Sequence, residues 1–262
     1  MQIGIVPFVI TFTSAGKWYT LHAMRRIQRS RSSAPLIIAH RGASADAPEN
    51  TLAAFRLAIT QGADGLECDL RMSADGEIVI SHDDSLRRTH EHPMRIAELT
   101  AAALAASHVP TLAETLATVR GKLPLINLEL KEPIPPDTLA ATIGARTDDI
   151  ILSSFDTAII QATRAALPHL PFWLLTRHGT NVAIADAQRL GCVGINVWHQ
   201  TATPRFIAHA GRAGFTVSVW TLDDLRRAGI LAGRGIAGIT TNTPGKLRTL
   251  FTSPPRTVHS SE

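Results

Sequence analysis

Cysteine is scarce in this 262-residue chain, with only Cys68 and Cys192. Two thiols cannot build a disulfide framework or a four-cysteine zinc site, and their scarcity fits a reducing compartment. Aromatic residues make up only 5% of the chain. No apolar run reaches the ~20 residues that span a bilayer. The run over residues 3–12 is about half that length, with no positive charge before it and an Arg cluster after it. A secretory signal has the opposite order. Charged residues account for 18% and hydrophobic residues for 45%, a balance that excludes a disordered chain. Glycine and proline occur at ordinary frequency and without a period, which excludes a collagen-like fibre. Walker and dinucleotide-binding fingerprints are also absent.

The formal charge of +4 and pI of about 9.6 raise nucleic acid or an anionic membrane as partners. The location of the charge argues otherwise. Lys17, Arg25, Arg26, Arg29 and Arg31 lie in residues 1–35 with no acid, leaving −1 on residues 36–262. The expected organisation is a basic, apolar extension over 1–35, one domain over 36–250 and a flexible tail over 251–262. No nucleic-acid partner is expected, and the expected location is cytoplasmic. The alternative is membrane association through residues 1–35.

From Leu36 onward, short apolar β-rich runs alternate with helical spacing of Ala, Leu and Ile. Nine strands are expected: Leu36–His40, Gly65–Leu70, Ile78–His82, Leu123–Leu130, Ile150–Phe155, Phe172–Thr176, Gly194–Trp198, Thr216–Thr221 and Gly238–Thr241. Helices are expected over Thr51–Gln61, Thr111–Arg120, Asp137–Arg146, Asp156–Leu167, Val182–Leu190, Pro204–Ala213 and Leu222–Leu231, the first capped by Asn50. Repeated βα units buried on both faces predict a parallel (β/α)8 TIM barrel of the α/β class, with a doubly wound open sheet as the rival. Nine runs for eight places mean that one of them is not a strand or lies outside the barrel, and Gly194–Trp198 is the weakest of them. Only Arg71 to Glu77 join the second and third runs, too few for a crossover helix. A hairpin or an extended crossover would fit, and the polar strand ends favour the crossover.

Those ends carry His40-Arg41, Glu67 and Asp69, His82, Glu129 and Lys131, Ser154, Trp220 and Thr241-Asn242. Functional groups of a parallel barrel gather at the carboxyl ends of its strands. Glu67 and Asp69 share one face of their strand, and Cys68 points to the other. Glu129 can supply a third oxygen. Three hard carboxylates suit one divalent ion, Mg2+ or Ca2+, better than zinc. The competing reading is a salt-bridge network with Lys131, Arg41 and Arg71. His40 and His82 can act as acid and base near neutral pH, and the Arg41 guanidinium suits a bidentate grip on phosphate. Together these residues describe phosphoryl-transfer chemistry.

The strings His40-Arg41-Gly42 and Pro48-Glu49-Asn50-Thr51 resemble the opening motif of glycerophosphodiester phosphodiesterases. Gly62 to Leu70, Asp75-Gly76 with Ile78 to Asp83, and Asn127 to Lys131 are similar to later motifs of that family. So are Pro110-Thr111-Leu112, Ser153-Ser154-Phe155, Val219-Trp220-Thr221 and Gly238 to Pro244, and the resemblance spans residues 36–248. It implies a metal-dependent barrel hydrolase that cuts glycerophosphodiesters, small-molecule substrates, into glycerol 3-phosphate and an alcohol. Glu67, Asp69 and Glu129 would hold the metal, and His40 and His82 would be the acid–base pair. Arg41 and Lys131 would hold the phosphate, Trp220 would line the pocket, and the substrate's own glycerol hydroxyl would be the first nucleophile. Two features depart from the family pattern. Asn242 stands where Asp is usual, and the stretch His90 to Val109 is short for an insertion that normally covers the site and helps choose the substrate. Lysophospholipid hydrolysis at a membrane surface and a non-catalytic phosphodiester-binding barrel are the alternatives. His90, His92, His108, His178, His199 and His209 read as surface or structural, and the two cysteines as packing residues.

Overall fold

The computed structural model describes residues 34–252 apart from His92. Residues 1–33 of the expected extension (1–35) and residues 253–262 of the expected tail (251–262) lie outside the described residues, as does His92.

The chain runs β1 (Leu36–His40), α1 (Leu52–Thr60), β2 (Gly65–Met72), β3 (Ile78–Ile80), α2 (Arg87–His90), a 3-10 turn (Ile96–Glu98), α3 (Ala101–Ala105) and α4 (Leu112–Val119). It continues through β4 (Leu125–Leu130), α5 (Pro136–Ile143), β5 (Ile150–Ser154), α6 (Thr157–Ala166), β6 (Phe172–Thr176) and α7 (Asn181–Arg189). The last elements are β7 (Gly194–Trp198), α8 (Pro204–Arg212), β8 (Thr216–Trp220), α9 (Leu225–Ala232), β9 (Gly238–Thr241) and α10 (Pro244–Thr252). β1, β2 and β4 to β9 are parallel, and the β1–β2 pairing closes them into the expected (β/α)8 barrel.

Most of the helices begin at a cap that the sequence supplies. Thr51, Thr111, Asp156, Thr180, Thr203 and Asp224 each accept a backbone N–H of the first turn. Thr51, not Asn50, caps α1. Asn50 has a left-handed φ of 57° and turns its side chain inward. At the other end of the domain α10 runs to Thr252, slightly past the expected boundary at residue 250.

Two expectations about strands are corrected. Gly194–Trp198 is a full barrel strand, paired with both β6 and β8. The run outside the barrel is β3, antiparallel to β2 with Leu70 opposite Ile80. The Arg71–Glu77 link is therefore a hairpin, turning through Ala74, Asp75 and Gly76. The crossover expectation failed because β2 continues past the barrel mouth, so a returning strand also delivers its C-terminal end there. Ser81 N–H donates to the Asp69 carbonyl at 2.9 Å, which leaves His82 at the mouth.

Alternation along the strands makes two apolar clusters. One packs the outer faces of the strands against the helices; the other, Ile38, Leu125, Ile151 and Trp173, belongs to their inner faces. Small polar residues Asn127, Ser153, Asn196 and Thr240, all buried, follow two residues after apolar or glycine positions on those inner faces, and buried Ser218 follows Thr216. Residues 83–110 fold beside the mouth on a cluster of their own, Val79, Leu86, Ile96, Leu104 and Val109. Among the described residues no helix is long and apolar enough to cross a membrane.

The β1–α1 junction has no room for a side chain at Gly42. Its φ is +87°, and an added Cβ would lie 2.6 Å from Ala54 Cβ and 2.7 Å from the Ala54 carbonyl carbon. Gly42→Ala combines a left-handed penalty with overpacking, so a loss of about 2–4 kcal/mol is expected. Urea unfolding of the variant checks this.

Candidate active site

Strand register assembles the mouth. On β1 and β2, His40 pairs with Glu67; on β2 and β4, Asp69 pairs with Glu129. With a period of two, Glu67, Asp69 and Glu129 all face inward. Their nearest oxygens lie within 4.8 Å of one another, and the residues are 4%, 0% and 8% exposed. They are the one group of three or more potential metal ligands among the described residues.

Two cations, one backbone N–H and one side-chain amide hold the triad in place. Arg41 N–H donates to Glu67 Oε2 at 3.1 Å, and Arg41 Nε lies 3.2 Å from Asp69 Oδ2. Asn50 Nδ2 donates to the same Asp69 oxygen at 2.8 Å. Lys131 Nζ donates to Glu129 Oε1 at 2.6 Å and stands 3.6 Å from Asp69 Oδ1. That Asp69 oxygen is buried and makes no hydrogen bond. Arg41 sits at φ 56°, so backbone strain of order 1 kcal/mol is held where the guanidinium must turn inward. Arg71, a possible partner of the carboxylates on sequence grounds, instead binds the His82 carbonyl at 2.9 and 3.2 Å and Glu132 at 2.7 Å.

The two histidines flank the triad with different partners. His40 Nδ1 lies 2.7 Å from Asn242 Oδ1, and its Nε2 is 4.0 Å from Glu67 Oε2. His82 Nδ1 lies 2.7 Å from Asp83 Oδ1. Asp83 pairs with Arg88 at 2.6 Å, Arg88 with Glu49, and Glu49 with Arg41 at 3.0 Å. An unbroken ion-pair chain therefore runs from His82 back to Arg41. His82, Asp83 and Arg88 also line two cavities, of about 690 and 760 Å3.

Trp220 stands across the mouth. Its indole N–H donates to the Asn196 carbonyl at 3.1 Å, and its ring meets Phe155 edge-on with centroids 5.2 Å apart. Arg177 lies over both rings, 5.6 Å from Trp220 and 5.9 Å from Phe155, and Lys131 Nζ is 6.0 Å from Phe155. The structure thus brings together all eight candidate residues: His40, His82, Arg41, Lys131, Trp220, Glu67, Asp69 and Glu129. Sequence reasoning missed Asn50, Asp83 and Arg177. Arg177 follows β6 directly and was within reach of the strand-end rule; Asn50 was hidden by its resemblance to a cap. Ser154 is structural, donating to the Leu130 carbonyl at 2.8 Å and accepting from Asp156 N–H.

Burial and the neighbouring carboxylates raise the proton affinity of Glu67 and Glu129. Burial, then Asp69 and Glu129, push Glu67 well above the usual carboxylate range against the opposing pull of Arg41. Burial and Asp69 push Glu129 up to about 7, with Lys131 opposing. Burial lowers His40, helped by Arg41, and also lowers His82, where Asp69 and Asp83 oppose it. Burial also pushes up both cysteine thiols, as expected of packing residues.

A family model described as the glycerophosphoryl diester phosphodiesterase family matches residues 40–246. A glycerophosphodiester phosphodiesterase of Caldanaerobacter subterraneus subsp. tengcongensis is 28% identical over 232 residues, covering 81% of this chain and 96% of its own length. Among solved structures, an Oleispira antarctica phosphodiesterase in complex with the product sn-glycerol-3-phosphate superposes with a TM-score of 0.78 at 26% identity, covering 84% of this chain and 98% of its own. The Thermotoga maritima glycerophosphodiester phosphodiesterase gives 0.75 at 27% identity, over 82% and 98%.

The donor set, three hard oxygens with one unpartnered and a repulsion still to be relieved, fits a divalent cation. A group whose folded pKa is raised stabilises the fold below its unfolded pKa, and that contribution is lost as pH rises through the folded value. For Glu129 the window extends from about 4.5 to about 7. Metal-stripped protein should therefore lose Tm between pH 5 and pH 8. Added Mg2+ or Ca2+ should restore more Tm at pH 8 than at pH 5, because a cation held by these residues would favour ionised Glu129. Calorimetric scans across that pH range check both slopes.

Proposed function

The chain belongs to the glycerophosphodiester phosphodiesterase family, whose members are phosphoric diester hydrolases, and from that premise we propose that it hydrolyses glycerophosphodiesters to glycerol 3-phosphate and an alcohol. The observation that carries the proposal is the arrangement of a buried carboxylate triad between two histidines. Each histidine spends Nδ1 on a fixed partner and keeps Nε2 for substrate. The product held by the Oleispira antarctica relative, sn-glycerol-3-phosphate, supports the same product here.

In this reading Glu67, Asp69 and Glu129 would hold one divalent ion, Mg2+ or Ca2+. The ion supplies Lewis acidity and neutralises charge on the phosphate. Arg41 and Lys131 neutralise charge on the phosphate oxygens and orient them. Trp220, with Phe155 behind it, forms an apolar wall of the pocket. His40, whose partner is a neutral amide, takes the proton of the substrate's glycerol hydroxyl on Nε2 as that oxygen bonds to phosphorus. His82, whose imidazolium is supported by Asp83, gives its proton to the departing alcohol oxygen as the phosphorus–oxygen bond breaks. In the second step the roles reverse. His82 deprotonates water, which opens the cyclic phosphate, and His40 returns the proton to the glycerol oxygen. Both cysteines are free and buried, which supports placing the enzyme in the cytoplasm.

Hydrolysis of glycerophosphoglycerol or glycerophosphoethanolamine should vanish with EDTA and return with added divalent ion. His40→Ala and His82→Ala should each lower kcat by about 10²–10⁴-fold. Replacing the alcohol by p-nitrophenol, which leaves without a proton, should restore most of the first step in His82→Ala and none of it in His40→Ala. Equal rescue of both variants would contradict the assigned roles.

A further inference from the structure

Asp223 lies in the loop after β8, in none of the roles given above. It is exposed as a residue, yet both its oxygens are engaged by the end of β9. Asn242 backbone N–H donates to Oδ1 at 2.8 Å, and Thr241 Oγ1 donates to the same oxygen at 2.7 Å. Asn242 Nδ2 donates to Oδ2 at 2.7 Å. The adjacent Asp224 is used differently, as the cap of α9 that accepts Arg227 N–H at 2.8 Å.

These contacts fix a sequence of orientations. An ionised carboxylate only accepts hydrogen bonds, so the amide must present its NH2 to Asp223. The amide oxygen is then turned the other way, where it meets Ser44 Oγ at 2.8 Å and His40 Nδ1 at 2.7 Å. That oxygen also only accepts, so His40 Nδ1 carries the hydrogen. Neutral His40 therefore keeps its lone pair on Nε2, the nitrogen nearer Glu67. The carboxylate expected at position 242 is present in this chain one hydrogen bond further out.

We propose that Asp223 is a positioning residue of the hydrolysis: acting through Asn242, it fixes the tautomer and ring orientation of His40. The proposal rests on the reading of His40 as the group that takes the glycerol proton. It separates the histidines by construction, since His82 meets its carboxylate, Asp83, directly. Backbone and hydroxyl contacts to Asp223 alone would serve loop structure. The Asn242 amide, which reaches Asp223 with one end and His40 with the other, ties that loop to the reacting nitrogen.

Asp223→Asn tests this almost without change of shape. With the oxygen of the introduced amide facing the Thr241 hydroxyl and the Asn242 backbone N–H, its NH2 meets the Asn242 side chain. The Asn242 amide must then flip and offer NH2 to His40, and the His40 proton moves to Nε2. We expect kcat to fall about 10–100-fold with KM within about twofold, the usual loss when a group orienting a site residue is removed. The double variant Asp223→Asn/Asn242→Asp puts a carboxylate on His40 directly and should regain kcat to within about threefold of wild type. Asp224→Ala should lower Tm and leave kcat within about twofold. Side-chain 15N shifts of His40 should report Nδ1–H in the wild type and Nε2–H in Asp223→Asn. Wild-type kcat in Asp223→Asn, no recovery in the double variant, or an unchanged His40 tautomer would each overturn the proposal. The nitrogen shifts need no turnover, so a protein inactive on glycerophosphodiesters would sink the functional reading while the relay was still tested.

Discussion

Three carboxylates share one buried pocket, and their mutual repulsion is the constraint on which the site depends. Water cannot screen them, because the residues are almost entirely excluded from solvent. Arg41, Lys131 and Asn50 offset part of the charge, yet Glu67 and Glu129 still hold protons more tightly than ordinary carboxylates. A protein built only for stability would place well-packed apolar residues there at lower cost. The arrangement makes physical sense for a cation site: the repulsion that destabilises the cluster would become affinity for a divalent ion, which would also supply positive charge for the phosphate.

The barrel explains how such a cluster is tolerated. Its strands stay apolar on the helix side, and the polar groups are confined to the inner face near the mouth. Strand register does the placing. A slip of one residue between β2 and β4 would move Asp69 away from Glu129 and present Cys68 in its place. The β2–β3 hairpin adds His82 from the opposite chain direction, and Arg71 clasps its carbonyl. The compact segment over residues 83–110 then supplies Asp83 and Arg88, which brace His82 and connect it to Glu49 and Arg41. The segment is short, but it is tied to the chemistry.

Most of this was legible in the sequence because the βα alternation and the strand-end rule depend on short-range patterns. Apolar runs ending in His40-Arg41, Glu67-Cys68-Asp69 and Glu129-Leu130-Lys131 reveal both the barrel and its mouth. What escaped depends on chain direction and long-range pairing. Ile78–Ile80 and Gly194–Trp198 are similar as apolar runs, and only their neighbours decide which lies in the barrel. Asn50 carries the signature of a cap, and only its left-handed backbone reveals that it faces Asp69. Asp223 and Asp224 are identical neighbours in sequence; contact with Asn242, 19 residues away from the first, separates their roles. Aspartate at position 223 therefore compensates for asparagine at position 242, a relation that no local pattern displays.

The central claim is that Glu67, Asp69 and Glu129 bind one divalent cation as a unit and give up protons to do so. Isothermal titration of EDTA-stripped protein with Mg2+ and Ca2+, repeated in buffers of different ionisation enthalpy, measures this directly. The account predicts one site per chain, a buffer-dependent heat at pH 7 showing proton release, and loss of binding in Glu67→Gln and Glu129→Gln. Binding that survives both substitutions, or no binding by the folded wild-type protein, would contradict it.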